Sequence, residues 1–182
     1  MSGLPGAGKT TLLTRAAAAG AVTVISRDLI RAAMFPGPAP HTPEETGLAF
    51  EAMLVAAGAR LRTGESVALD GCCFARPGQR QRALELADAA GARLVGVHLG
   101  LPAATAIRRV ATPGGPHPAN DRDAALVARV AAYLAPPEPD DLVIDARRPA
   151  EEIWALVRHR LAAAGAPGGS RGTGNPDATI VA

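Results

Sequence analysis

Four short apolar runs punctuate this chain at intervals of about 25 to 45 residues: Ala21–Ile25, Ser66–Asp70, Arg93–Leu99 and Leu142–Asp145. None shows strict polar alternation. Short apolar runs of this kind predict strands buried on both faces. Longer stretches with helical spacing separate them. The pattern predicts helices over 9–19, 29–35, 43–62, 76–90, 101–110, 121–135 and 149–164. Gly20, Gly64 and Gly91 follow three of these as C-terminal caps. Thr42-Pro43-Glu44-Glu45 opens another with an N-cap threonine, a proline at the first helical position and a glutamate to close a capping box. Proline-rich breaks at 36–43, 111–119 and 136–139 exclude regular structure there. Strands alternating with helices of this length predict a three-layer α/β/α domain built on a parallel sheet. In such a sheet, ligands bind at the C-terminal ends of the strands.

Composition adjusts this picture modestly. The 182 residues suffice for one domain with a core of its own. Hydrophobic residues make up 48%, yet aromatics only 3%, so helices should pack on the sheet through small side chains. Trp154, Leu156, Val157, Tyr133 and Leu134 are expected in that core. A formal net charge of +2 leaves no basic footprint for nucleic acid. The only cysteines, Cys72 and Cys73, are adjacent and read as ordinary small residues, which points to a reducing, cytoplasmic setting without disulfides. No apolar run is long enough for a membrane span, and no signal peptide is expected before the first helix. The domain is expected over 1–164, with residues 165–182, rich in glycine, proline and small polar residues, as a disordered tail.

The chemistry concentrates at the start. Gly3-Leu4-Pro5-Gly6-Ala7-Gly8-Lys9-Thr10, followed by Thr11, fits G-x-x-x-x-G-K-[ST], the P-loop pattern. Its glycines let successive N–H groups turn toward a phosphate, and the following helix adds the positive end of its dipole. Lys9 would reach the β- and γ-phosphates of ATP, and the Thr10 hydroxyl would coordinate Mg²⁺. Gly3, Pro5, Gly6, Ala7, Gly8, Lys9, Thr10 and Thr11 are therefore the expected nucleotide-binding residues. Lys9 is the only lysine beside 18 arginines. A compact ammonium is kept where a planar guanidinium would not fit between phosphate oxygens. Ser26-Arg27-Asp28 and Asp70-Gly71 fall on the same sheet edge. Asp28 faces two readings, a base at a strand end or an N-cap of the next helix. Asp70 could hold Mg²⁺ or cap a loop. Arg27 reads as a structural or solvated rim charge. His41, His98, His117 and His159 lack metal-ligand spacing, and His98 reads as a satisfied strand histidine.

The P-loop, the Arg27-Asp28-x-x-Arg31 step, Asp70-Gly71 and the segment 108–122 together resemble the small P-loop kinases over residues 1–164. The likeness is to the polynucleotide 5′-hydroxyl kinase type and to the zeta-toxin-like "AAA family ATPase" group. It implies an ATP- and Mg²⁺-dependent phosphotransferase. Asp28 would be the general base on the acceptor hydroxyl, and Arg31 would grip an acidic group of the acceptor. Asp70 would contact metal or acceptor. A lid over 108–122 would supply a catalytic arginine, with Arg122 preferred, then Arg108, then Arg109. The pair R-x-x-x-R usual in that lid is absent: Arg108-Arg109 are followed by Val110-Ala111-Thr112-Pro113. The acceptor could be a nucleic-acid 5′ end or a small molecule, and the weak net charge favours the small molecule. A regulatory ATPase with no acceptor, or an inactive remnant, are the alternatives.

The remnant reading has a specific motive. A P-loop follows the central strand of such a sheet, and only Met1-Ser2 precede Gly3. Three arrangements remain open. The true start could lie about 5–8 residues upstream, judged by usual strand lengths. The central strand could be missing. Or Ala178–Ala182 could fill the slot, provided that its C-terminus lies near Gly3.

Overall fold

The computed structural model describes residues 1–37, 42–72, 74, 77–112, 123–165 and 178–182. Along these, α1 (Lys9–Ala18), β1 (Thr23–Ser26), α2 (Arg27–Met34), α3 (Pro43–Arg62), β2 (Val67–Asp70) and α4 (Pro77–Ala90) come first. Then follow β3 (Arg93–Val95), β4 (Val97–Gly100), α5 (Ala103–Ala111), α6 (Ala124–Tyr133), β5 (Leu142–Asp145), α7 (Ala150–Gly165) and β6 (Thr179–Val181). The order matches the sequence pattern, with three informative differences.

First, the apolar run 93–99 is not one strand. It breaks at Gly96, where a Cβ would collide with the Asp141 carboxylate, itself ion-paired to Arg80 at 2.7 Å. β3 and β4 therefore pair with different neighbours. Second, α2 begins two residues early, because Ser26 Oγ accepts from Leu29 N at 3.4 Å and caps it. Asp28 is thus in the first turn rather than at the cap. Third, the last five residues are not tail. β6 lies between β2 and β3 and runs parallel to both, giving a four-stranded sheet in the order β1-β2-β6-β3, while β4 and β5 pair parallel as a second, two-stranded sheet. The slot beside the P-loop is thus filled by Ala178–Ala182, the third of the arrangements the sequence left open. Residues 166–177 of the expected tail lie outside the described residues.

The reason is the burial that a central position offers to Ala-Thr-Ile-Val-Ala. Ala178, Ile180, Val181 and Ala182 are all buried, and so is Thr179. Full burial of an isoleucine or valine contributes about 1.5–3 kcal/mol each. An empty slot would leave the facing backbone edges of β2 and β3 unpaired inside the core. A glycine- and proline-rich composition upstream says nothing against a β-branched segment docking after it.

Strand alternation divides the core in two. Val67, Leu69 and Ile180 face α3 and α4 with Phe50, Met53, Leu54, Leu61 and Phe74. Ala68, Val181, Val95, Val97 and Leu99 face the other way, toward Leu12 and Leu13 of α1 and Trp154 and Val157 of α7. This is the three-layer arrangement that the pattern predicts. Tyr133 and Leu156 are exceptions to the expected core: Tyr133 is 47% and Leu156 39% exposed. Among the described residues no helix is long and apolar enough to cross a membrane.

Candidate active site

The glycine-rich loop emerges beside β4, where Ser2 N donates to Val97 O at 2.8 Å and Leu99 N to Ser2 O at 3.0 Å. Gly3 follows with φ 130°, its backbone so close to β4 that a Cβ would sit 2.5 Å from Leu99 O. Only glycine accepts both the angle and the approach. Leu4, Pro5 and Ala7 are buried behind the loop, while Gly8 and Thr11 are exposed. Lys9 Nζ arches back and donates to Gly3 O at 2.7 Å and Leu4 O at 2.9 Å. This lysine is thus held over the mouth of the loop by the loop's own carbonyls. The α1 N-terminus opens at Gly8, with no acidic residue in its first turn to oppose an incoming anion.

From there a short chain of contacts leads across the strand ends. Thr10 Oγ1 donates to Asp70 Oδ1 at 3.2 Å. Asp70 is the last residue of β2 and is buried. Gly71 follows with φ 83°, and a Cβ there would lie 2.9 Å from Asp28 Cγ. The absence of a side chain at 71 is what allows the Asp28 carboxyl to sit against the end of β2. Asp28 itself is 9% exposed, and its Oδ1 accepts from Arg27 Nη2 at 2.9 Å. Arg27 therefore has a structural contact, as expected of a rim charge. Arg31, one turn further along α2, is buried and 3.8 Å from Glu45 of α3. That pairing is loose: Arg31 Nε and Glu45 Oε2 are both buried without a hydrogen-bond partner. Arg31 keeps unspent donor capacity at the rim.

The hydroxyl of Thr10 and the carboxylate of Asp70 form a pair of hard oxygen donors, the chemistry that suits Mg²⁺, which takes few protein ligands and leaves its other positions to water and phosphate. No group of three or more His, Cys, Asp or Glu side chains converges among the described residues. His98 is half-buried and bonded through Nδ1 to Ser2 Oγ at 2.9 Å, a satisfied strand histidine as expected. Burial chiefly holds its pKa below the ordinary 6.5, with Lys9 adding to that and Asp141 opposing it. Cys72 is buried, and Cys73 lies outside the described residues.

The lid arginines separate. Arg122, the preferred candidate, lies outside the described residues, as does the whole of 113–122. Arg108 turns onto its own helix and donates to Thr105. Arg109, ranked last from sequence, is the one that reaches the loop, donating to Gly6 O at 3.4 Å and to Ala146 O at 2.9 Å. Its signal was its helical neighbour Ala106, whose carbonyl would lie 3.0 Å from a Cβ on Gly6. The residues after β5 were missed altogether. Arg147 binds Asp145 and holds its carboxyl down at about 2, fixing the turn that presents Ala146 O to Arg109.

The fold has counterparts in solved structures. A sugar kinase from Janibacter sp., unliganded, is 23% identical with a TM-score of 0.64, covering 88% of this chain and 90% of its own. A gluconokinase from Sinorhizobium meliloti is 22% identical with a TM-score of 0.63, and the coverage is 89% of each chain. A protein from Chloroflexus aurantiacus, described as a candidate kinase, is 23% identical with a TM-score of 0.67, covering 87% of this chain and 94% of its own. At these identities the likeness establishes the fold, that of a P-loop NTPase. No curated protein matches the sequence. The family model of the AAA domain matches residues 1–137, the span that carries the P-loop, Asp28, Arg31 and Asp70, so the chain belongs to the AAA-domain family of P-loop proteins.

Proposed function

We propose that the protein is a kinase that moves the γ-phosphate of ATP to a hydroxyl of a small, sugar-like acceptor. The observation that carries this reading is the contact chain Thr10–Asp70–Gly71–Asp28, which links the Asp28 carboxyl, in the first turn of α2, through the end of β2 to the helix that follows the phosphate loop. A switch protein that only binds and hydrolyses nucleotide has no need of a second carboxylate beside a buried, under-bonded arginine. In the proposed step Asp28 takes the proton of the acceptor hydroxyl as its oxygen attacks the γ-phosphorus, and the bond to the β–γ bridging oxygen breaks to release ADP. Lys9 leaves its loop carbonyls for the β- and γ-phosphate oxygens. Thr10 and Asp70 are the residues that would hold Mg²⁺, which supplies charge neutralisation on the phosphates when bound. Arg31 orients the acceptor through an oxygen of its own, and Arg109 or Arg122 meets the charge that develops on the transferring group.

A small acceptor is favoured by the net charge of +2, which offers no stripe for a nucleic-acid backbone. The sugar kinase and gluconokinase folds point the same way. The test is transfer from γ-labelled ATP to a panel of sugars, sugar acids, polyols, nucleosides and short 5′-hydroxyl oligonucleotides. Label is expected on a sugar or sugar acid. ATP hydrolysis with no labelled product across the panel would overturn the kinase reading in favour of a regulatory ATPase.

A further inference from the structure

The junction between β6 and the phosphate loop has a register with no gap. On the β3–β4 side, Val95 stands opposite Val181 and His98 opposite Ser2. Two residues, Gly96 and Val97, separate the first pair from the second. On the facing side the two positions between Val181 and Ser2 are filled by Ala182 and Met1. The hydrogen bonds follow the same count: Ala182 N donates to Val95 O, Val97 N to Ala182 O, Ser2 N to Val97 O and Leu99 N to Ser2 O. Residues 178–182 and 1–2 thus occupy seven successive positions of one strand, which then turns into the loop at Gly3.

We propose that residues 178–182 are a positioning element of the nucleotide site, so that seating of this strand and nucleotide binding at the P-loop are coupled. Before Gly3 the loop is held to the sheet at Ser2, whose backbone bridges His98 and whose hydroxyl bonds His98 Nδ1, and the parallel pairing on the β2 side ends at Ala68 with Val181. The loop has no slack, since Gly3 is pressed on Leu99 O and Lys9 is bonded to the carbonyls of Gly3 and Leu4. Any shift of the β6 end therefore moves Ser2 and Gly3, and with them the donors aimed at phosphate. Abutment of Ala182 on Met1 and shared neighbours on β3 and β4 transmit that position, and the seating of a strand brought from a distant part of the chain is an equilibrium. Whatever favours the seated strand favours nucleotide, and nucleotide favours the seated strand by the same factor.

The inference rests on the P-loop as a nucleotide site, and the experiment separates the two. Hydrogen exchange is followed on the full chain with and without saturating Mg·ADP. Protection is expected at the P-loop amides and also at the amides of Ile180 and Ala182, slowed there by roughly 10-fold or more in the range usual for linked sites. Loop protection with unchanged exchange in β6 would overturn the coupling. No protection anywhere would instead remove the nucleotide site. A second arm uses a rearranged chain holding all 182 residues, opened between Ser170 and Arg171 and joined by a peptide bond from Ala182 to Met1. It should fold, bind Mg·ADP at least as tightly as the parent and lose the linked change at β6. A rearranged chain that fails to fold, or that folds and binds at least 10-fold more weakly, would contradict the shared-strand register.

Discussion

The phosphate loop and the side-chain rim beside it meet at the Thr10–Asp70 hydrogen bond of 3.2 Å, yet they are built in opposite ways. The loop is made of backbone. Its shape follows from glycine angles, from Gly3 pressed on Leu99 O and from Lys9 folded onto the carbonyls of Gly3 and Leu4. The rim is made of side chains from three elements. Asp28 and Arg31 come from α2, Asp70 from β2 and Glu45 from α3, and contacts between elements set their positions: Thr10 on Asp70, Gly71 against Asp28 and Glu45 facing Arg31. Backbone recognition suits what every nucleoside triphosphate shares, whereas side-chain recognition suits a particular acceptor. Substitutions in the loop should therefore abolish everything, and those at the rim should separate binding from transfer.

The broadest expected effect belongs to Lys9→Ala. It should lower both transfer and ATP hydrolysis by on the order of 10²–10³-fold, the usual result of removing one aimed cationic or hydrogen-bonding group from a developing charge. Steady-state rates with a proven acceptor would check it. Gly71→Ala comes next and sharpens the comparison, because it touches neither substrate. The added methyl would lie 2.9 Å from Asp28 Cγ at a backbone angle of φ 83°. Transfer should fall about 10²-fold as the carboxylate is displaced, consistent with the cost of a 1 Å misplacement. Nucleotide affinity should stay within a few-fold of the parent in a fluorescence titration. Should affinity fall with transfer, loop and rim are not separable at this point.

Arg31→Met keeps the bulk of the side chain and removes its donors. The acceptor KM should rise about 10-fold, the value of roughly 1.4 kcal/mol for one lost charge-assisted hydrogen bond, with the KM for ATP unchanged. The smallest effect is on stability. The pKa of His98 is held below 6.5, chiefly by burial. The folded state thus binds its proton less readily than the unfolded chain. Its contribution is complete above pH 6.5 and is lost as pH falls below that toward the lowered value. Urea unfolding at pH 7.5 and 5.5 should show this loss, and His98→Asn should flatten it.

Much of this was legible in the chain. The loop needs local residues at fixed spacing, so its sequence is its structure. Helix α3 was equally plain: Thr42 Oγ1 accepts from Glu45 N at 3.1 Å where the Thr-Pro-Glu-Glu start called for a cap. The clustering of Thr10, Asp70 and Asp28 followed from the rule that parallel strands present ligands at their C-terminal ends. What escaped was settled between distant segments. The break at Gly96 depends on Asp141, 45 residues on. Arg109 outranks Arg108 at the loop only because α5 lies with Ala106 against Gly6. The central strand was hidden in a segment whose neighbours in sequence are glycine, proline and polar residues, because composition averages over a window and burial is decided residue by residue.

The central claim is that Asp28 makes this nucleotide site a phosphotransferase. The direct measurement is single-turnover transfer from bound γ-labelled ATP to the accepted sugar, comparing the parent with Asp28→Asn, with nucleotide affinity measured on the same samples. The account expects affinity within about 3-fold and transfer slower by roughly 10²–10⁴-fold, the range for loss of a positioned base. Transfer by Asp28→Asn at the parent rate would contradict it.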